Sequence, residues 1–126
     1  MGTEKDLIQS YKDLIVWQKS IELVTATYYL TDKFPKEEIF GLTSQVRRAV
    51  VSIASNIAEG KMRGGDVEFR RFLLIAFASG AELETQLIIA RKLPKTTKLD
   101  YNKVDSLLQE VMKMLNKLIS QLEPGN

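Results

Sequence analysis

The sequence predicts an all-α protein, an antiparallel up-down-up-down four-helix bundle. Apolar residues recur at three- and four-residue spacing in four stretches, at about residues 13–33, 42–60, 66–93 and 100–122. Glycine or proline marks the three connections, which are about six residues long and therefore favour antiparallel neighbours. No stretch alternates apolar and polar residues as a half-buried strand does. We expect a single domain over residues 1–126, because one core serves a chain of this length.

The first predicted helix follows a polar leader at residues 1–11, which we expect either to lie against the bundle or to be partly disordered. Asp13 is its predicted N-cap. A seam of coiled-coil spacing comprises Leu14, Trp17, Ile21, Val24 and Tyr28, and Leu23, Ala26 and Leu30 widen it. We expect the helix to stop at Phe34, because a residue before proline avoids the α region. Residues 36–40 then form one predicted helical turn.

The second predicted helix carries two stripes side by side. Its apolar stripe comprises Leu42, Val46, Ala49, Val50, Ile53 and Ile57. A polar stripe runs beside it at the same spacing and comprises Gln45, Arg48, Ser52, Asn56 and Glu59. Small residues lie between the stripes, so a neighbouring helix can come close. Gly60 is the predicted C-cap.

The third predicted helix is more apolar than one face of a small bundle requires. The turn at Gly64 and Gly65 precedes it, and Asp66 is its predicted N-cap. Its seam comprises Phe69, Leu73, Ala76, Gly80, Leu83, Leu87 and Ala90, and Leu74, Ile75, Phe77, Ala81, Ile88 and Ile89 extend it. A glycine inside a helix costs about 1 kcal/mol relative to alanine, so Gly80 suggests close approach by another helix. The apolar excess predicts self-association, and we expect a homo-oligomer.

The fourth predicted helix begins after Pro94 and a short connection, with Asp100 as its predicted N-cap. Its seam comprises Val104, Leu108, Val111, Leu115, Leu118 and Leu122, flanked by Leu107, Met112, Met114 and Ile119.

The third predicted helix carries polar residues at the same three- and four-residue spacing as the polar stripe of the second helix. We call the two together the polar seam, which comprises Gln45, Arg48, Ser52, Asn56, Glu59, Ser79, Glu82 and Gln86. Antiparallel packing would set Arg48 or Arg47 against Glu82, with Ser52 and Asn56 bonding nearby groups. One interpretation is a buried network that fixes helix pairing; the other is a contact surface for a ligand or nucleic acid.

The composition disfavours the common kinds of enzyme. The chain has no cysteine and no histidine, which removes the usual nucleophile–base pairs, the usual zinc sites and the Glu-x-x-His di-iron motif of helical bundles. We therefore expect no catalytic residue, no metal and no cofactor. Neither a signal peptide nor an apolar run of roughly 20 residues is evident, so we expect a cytoplasmic protein without membrane contact.

Two groups of basic residues flank the second and third connections. The first basic cluster is Lys61, Arg63, Arg70 and Arg71, and the second basic cluster is Arg91, Lys92, Lys95 and Lys98. The net charge of +2 is too small to argue for a nucleic-acid partner by itself. An oligomer would repeat each cluster in a ring and create a strong positive field. The aromatic residues fall mostly on the apolar seams, so we predict no stacking platform for single-stranded bases.

Several segments together resemble a known bacterial family. They are residues 11–19 (YKDLIVWQK), 34–38 (FPKEE), 40–48 (FGLTSQVRR), 52–60 (SIASNIAEG) and 78–85 (ASGAELET). The resemblance is to the four-helix bundle proteins first noticed as open reading frames in intervening sequences of 23S rRNA genes. It covers about residues 11–93, and Ala78 takes the place of the glycine usual in the last segment.

The resemblance implies a homo-oligomeric bundle, with a pentamer favoured, and it supplies no catalytic residues. More distant relatives include accessory proteins of diversity-generating retroelements, which bind a reverse transcriptase and nucleic acid. We therefore expect a non-enzymatic oligomer that binds RNA or a ribonucleoprotein through the basic clusters. The alternative is a protein–protein scaffold or an accessory factor for a nucleic-acid enzyme such as a reverse transcriptase.

Overall fold

The computed structural model of the protein describes residues 11–125, and the greater part of the polar leader lies outside these residues. Helix α1 spans Ile15–Thr31, α2 spans Leu42–Met62, α3 spans Asp66–Lys92 and α4 spans Asn102–Gln121. A single 3₁₀ turn at Lys36–Glu38 stands between α1 and α2. The four-helix prediction is confirmed, with each helix within about two residues of its expected bounds.

The four helices pack in a closed square. The α2–α3 contact is the most extensive, α1 packs on α2 and on α4, and α3 packs on α4. Each helix therefore lies beside the helix before it and the helix after it, as short connections require. Leucine, isoleucine and valine side chains from all four helices form the centre, among them Leu23, Ile53, Leu73 and Leu115.

The predicted seams of α2 and α3 are confirmed, and most of the α4 seam is. All seven residues predicted for the α3 seam are buried, and of the α4 seam only Leu118 and Leu122 are partly exposed. Gly80 lies where a Cβ would come within 2.3 Å of Met112 Sδ. That contact is the predicted close approach by another helix, which is α4.

The predicted face of α1 is confirmed in part. Leu23, Ala26 and Leu30 are buried as expected, and Leu14, Trp17 and Val24 pack partly buried against the core. Ile21 and Tyr28 are 40% and 39% exposed instead, and the core also contains Val16, Ser20, Thr27 and Thr31. Two of the buried hydroxyls are satisfied within the helix itself. The Ser20 Oγ donates to Trp17 O at 2.6 Å, and the Thr31 Oγ1 donates to Thr27 O at 2.9 Å. Because such bonds remove the cost of burying a hydroxyl, a partly polar stripe can form the core face.

Three predicted caps are also wrong. The N-cap position of α1 is Leu14 instead of Asp13, and Asp66 is the first residue of α3, after Gly65. An acidic side chain there still interacts favourably with the helix dipole. Gly60 lies inside α2, where a Cβ would stand 2.5 Å from Phe72 Cβ, so this glycine permits close α2–α3 packing. The Asp100 carboxylate accepts a bond from Asn102 N at 2.9 Å, although the formal N-cap position is Tyr101.

Helix α3 is, by length and composition alone, long and apolar enough to cross a membrane. The expectation that no stretch is long and apolar enough for a membrane span therefore does not hold for α3 by these two criteria. Its most apolar window of 18 residues has a mean hydropathy of 1.5, and 39% of that window is buried inside the bundle. A long core helix of a water-soluble bundle satisfies the same criterion, so this is weak support for membrane insertion.

Candidate nucleic-acid interface

The polar seam forms a hydrogen-bonded link between α2 and α3 at only one point. The hydroxyls of Ser52 and Ser79 lie 2.9 Å apart and share a hydrogen bond. The Asn56 amide donates to Ser52 O at 2.8 Å and to Ser52 Oγ at 3.0 Å. Only the Ser52–Ser79 bond crosses between the helices, whereas both Asn56 bonds lie within α2. Ser52 therefore bonds to a serine and an asparagine, and neither of them is a base that would activate a nucleophile.

The expected pairing of Arg48 with Glu82 is wrong for the single chain. Both side chains are exposed, and among residues 11–125 neither takes part in an ion pair. Arg47 pairs with α1 instead of α3. Its Nε donates to Thr31 Oγ1 at 2.9 Å, and its Nη2 donates to Asp32 Oδ1 at 2.9 Å.

The remaining members of the polar seam are divided between solvent and core. Gln45 and Glu59 are exposed, and Glu59 accepts a bond from Arg63 at 2.8 Å. Gln86 is 5% exposed, and its Oε1 has no hydrogen-bond partner within the part of the chain that the structure describes. A buried amide oxygen without a donor costs about 1–3 kcal/mol, so Gln86 is a local weakness in the α3 packing.

The first basic cluster lies where α2 meets α3. Arg63 pairs with Glu59 and Arg71 pairs with Glu68, at 2.8 Å and 3.1 Å, and both guanidinium groups lie about 5 Å from the centre of the Phe72 ring. The Glu68 bond raises the pKa of Arg71, and the Arg71 bond lowers the pKa of Glu68. Carboxylates thus offset the positive charges of Arg63 and Arg71 locally.

Two members of the first basic cluster also contact neighbouring groups. The Arg70 Nε donates to Ile119 O at 3.2 Å, and its Nη2 lies 3.6 Å from Glu123 Oε1. Arg70 thereby connects α3 to the end of α4. The Lys61 ammonium lies 5.3 Å from the centre of the Phe69 ring. Of the four residues, Arg70 therefore contributes most to the fold.

The second basic cluster lies at the other end of α3. Arg91 is bonded to Asp105 and lies over the Tyr101 ring, and Lys95 is bonded to Glu37 of the 3₁₀ turn. The Lys95 bond lowers the pKa of Glu37, and the Glu37 bond raises the pKa of Lys95. Lys92 and Lys98 are exposed, and neither has an ion-pair partner among the described residues.

A third basic surface was missed by the sequence analysis. It is an open hollow of about 440 Å³ between α1 and α2, and Tyr28, Ile39, Arg47, Arg48 and Val51 lie on its walls. Tyr28, which the sequence assigned to an apolar seam, is 39% exposed, so that assignment is wrong; Tyr29 and Phe40, which were assigned to no seam, are 70% and 95% exposed. Consecutive tyrosines on one helix point about 100° apart, so the sequence could have indicated that at least one faces outward.

Helix α3 carries an apolar surface that this chain does not cover. We call it the α3 outer face; it comprises Leu74, Ile75, Ile88 and Ile89, which are 40–46% exposed. Ala78 and Ala81, also exposed, lie between its two ends. Small residues at the centre of such a stripe let a second helix approach closely.

A family model described as 23S rRNA-intervening sequence protein matches residues 12–117. No curated protein matches the chain significantly.

Proposed function

Because the chain belongs to the 23S rRNA-intervening sequence protein family, we propose that it is a non-enzymatic, cytoplasmic homo-oligomer that binds RNA or a ribonucleoprotein through basic surfaces. Five copies are the expected number, as the family resemblance implies. The family description makes ribosomal RNA the first ligand to test.

The observation that carries the proposal is the α3 outer face. Four large aliphatic side chains are 40–46% exposed along one helix, and the exposed residues between them include Ala78 and Ala81 as well as the polar Glu82 and Thr85. Covering such a stripe with the same stripe of a second copy would remove apolar surface from water at about 25 cal/mol per Å². The length of α3, 27 residues, provides a long surface for this contact.

Assembly would also raise the local charge of a chain whose net charge is only +2. A ring of copies repeats each basic cluster, and the fields of the copies add. The existing ion pairs do not oppose RNA binding strongly. Exposed pairs such as Arg71–Glu68 contribute about 0–1 kcal/mol, so a phosphate can compete with the carboxylate for the guanidinium.

The basic-cluster test removes two charges at one end of the bundle. Because Arg70 connects α3 to α4, the variant that leaves the fold intact is Arg63→Gln with Arg71→Gln. Its matched control is Lys113→Gln with Lys117→Gln, which removes the same charge from exposed positions on α4. We expect the first pair to weaken RNA binding and reduce its salt dependence, and the control to bind like the wild type. Equal binding by both pairs would refute the role of the first basic cluster.

The ion pairs of the basic clusters also support the alternative function, a protein–protein scaffold. Carboxylates accompany Arg63, Arg71 and Arg91, which leaves a mixed surface typical of protein–protein contacts. The two functions differ in whether purified protein binds RNA alone, with an affinity that falls steeply as salt is raised. Binding that requires a second protein would support the scaffold.

A further inference from the structure

We propose that the hollow between α1 and α2, which we call the arginine hollow, binds single-stranded RNA, taking one unstacked base and its phosphate. This inference rests on the proposed RNA binding and adds a site that the two basic clusters do not include. Three features of the hollow support it: a fixed flat surface, an unpaired charge, and the absence of acidic side chains from the walls.

The flat surface is formed by Arg47 and Tyr28. The Arg47 Cζ lies 4.4 Å from the centre of the Tyr28 ring. The guanidinium is also held by Thr31 Oγ1 and Asp32 Oδ1, both at 2.9 Å. Three contacts thus hold the Arg47 guanidinium against the Tyr28 ring without a ligand. Bases stack on guanidinium planes and on aromatic rings, and a fixed platform loses little entropy when it binds.

The unpaired charge belongs to Arg48. It stands on the wall of the hollow beside Arg47, and no carboxylate within the described residues pairs with it. The charge of Arg47 is offset by Asp32, so Arg48 supplies the net positive charge that a phosphate needs. Arg47 therefore provides a stacking surface for the base, and Arg48 provides the positive charge for the phosphate.

The walls contain no acidic side chain. Ile39 and Val51 provide an apolar border, and Thr43 and Ser44 provide hydroxyls beside the arginines. The groove between α3 and α4, by contrast, is lined by Glu84 and Asp105 as well as Arg91. An anion entering the arginine hollow therefore meets no wall carboxylate that repels it, unlike one entering the α3–α4 groove.

The chemistry of the hollow selects single strands over duplexes. A base inside a duplex is stacked on both faces and cannot reach Arg47 or Tyr28, whereas a base in a loop or at a free end can. Stacking on a ring or a guanidinium depends little on which base is bound. We therefore expect a preference for strand state with little preference for sequence.

The test uses the full chain and two fluorescently labelled RNAs, an oligouridylate and a blunt-ended duplex without loops, of equal charge. We expect Tyr28→Leu to weaken oligouridylate binding about tenfold, because one base stack is lost, and to leave duplex binding unchanged. Arg48→Gln should weaken oligouridylate binding and reduce the salt slope by about one phosphate. Tyr29→Leu is the matched control, since Tyr29 is one residue away, more exposed and outside the hollow.

A second readout separates contact from a structural effect. Oligouridylate carrying one 4-thiouridine is photo-cross-linked to the wild type, and the adduct is mapped by mass spectrometry. We expect the adduct on Tyr28 or an adjacent wall residue, and loss of that adduct in Arg48→Gln. Thermal melting of each variant shows whether the fold is kept.

The remaining outcomes distinguish failure of the arginine-hollow inference from failure of the proposed RNA binding. If the wild type binds oligouridylate and both hollow variants bind equally well, this inference fails while the proposed RNA binding stands. If the wild type binds no RNA at low salt, both fail. If Arg48→Gln changes only the mass of the assembly, the hollow is a contact between copies and the inference is wrong.

Discussion

Gly60 and Gly80 are both buried glycines inside helices, and they differ in what stands where a side chain would go. At Gly60 the obstacle is Phe72 Cβ, 2.5 Å away, which is attached directly to the α3 backbone. At Gly80 it is Met112 Sδ, 2.3 Å away, near the end of a flexible side chain. A backbone-attached atom moves only if the helix moves, whereas a methionine can change rotamer.

We therefore expect Gly60→Ala to lower the free energy of unfolding by about 1–3 kcal/mol, the usual cost of overpacking. Gly80→Ala should stay within about 1 kcal/mol of the wild type, because higher helix propensity offsets the displacement of Met112. Urea unfolding at one fixed protein concentration measures both. An equal loss in the two variants would contradict the distinction.

The sequence pattern did not determine which neighbouring side chains Arg47 and Arg48 contact. The sequence predicted that one of them faces Glu82, but adjacent helix positions point about 100° apart, and their spacing does not say which neighbour each meets. In the structure Arg47 turns to Thr31, Asp32 and Tyr28, and Arg48 points to solvent. The chemistry of the pair therefore depends on the α1–α2 packing.

We expect Arg47→Ala to destabilise the protein by about 1–2 kcal/mol, because a buried hydroxyl and a ring lose their partner. Arg48→Ala and Glu82→Ala should change stability by no more than about 0.5 kcal/mol, as exposed side chains do. Thermal unfolding of the three variants is the measurement. A large loss for Arg48→Ala or Glu82→Ala would mean that these groups are buried between copies.

At the scale of elements, the connection from α3 to α4 is held by two buried hydrogen bonds. Thr96 is 1% exposed, and its Oγ1 donates to Ala90 O at 2.6 Å. The Tyr101 hydroxyl donates to Thr96 O at 2.8 Å. Burial of the hydroxyl raises the pKa of Tyr101 above its usual range. The connection is therefore a packed part of the structure.

This packing makes stability sensitive to alkaline pH. A pKa raised by folding means that the folded state disfavours tyrosinate, so the contribution is complete below about pH 10 and is lost as pH rises further. Tyr101→Phe should lose about 1 kcal/mol at pH 8, from the missing hydrogen bond, and should lose less additional stability than the wild type above about pH 10. If both proteins lose the same additional stability above about pH 10, the ionisation of Tyr101 is not coupled to unfolding.

The helices themselves were predictable because each repeats its apolar spacing over about five turns or more. The α3 seam, from Phe69 to Ala90, is buried throughout, as its regular spacing indicated. The face of α1 was predictable only in part from hydrophobicity, because Ser20, Thr27 and Thr31 face the core in preference to Ile21 and Tyr28. The hydroxyls of Ser20 and Thr31 bond their own helix, which the spacing of apolar residues does not reveal, whereas Thr27 Oγ1 has no hydrogen-bond partner among the described residues.

At the scale of the whole molecule, the proposed assembly depends on the α3 outer face. We expect Ile75→Glu with Ile88→Glu to yield single chains that keep their helix content, because two carboxylates would otherwise be buried between copies. Ile15→Glu is the control, since Ile15 is 63% exposed on α1 and outside that face. Size-exclusion chromatography with light scattering gives the mass. An unchanged assembly in the double variant would place the contact elsewhere.

The basic clusters were predictable as residues, while their tertiary contacts were not. Glu59 and Glu68 lie at helical spacing from Arg63 and Arg71, so these two ion pairs follow from the sequence. Only folding brings the two guanidinium groups, which stand on different helices, to the same Phe72 ring. The arginine hollow was missed for a related reason. It joins side chains from α1 and α2 that are about twenty residues apart, and nothing in their spacing connects them.

The central claim is that an oligomer of this chain binds RNA, and one experiment addresses both halves. The purified protein is titrated with a 23S rRNA fragment across a salt series, with light scattering on the same sample. We expect a multiple of the 14.3 kDa chain mass, about five copies, and an affinity whose logarithm falls linearly with the logarithm of salt concentration. A single chain that binds no RNA at low salt would contradict the claim and leave a protein partner as the ligand to seek.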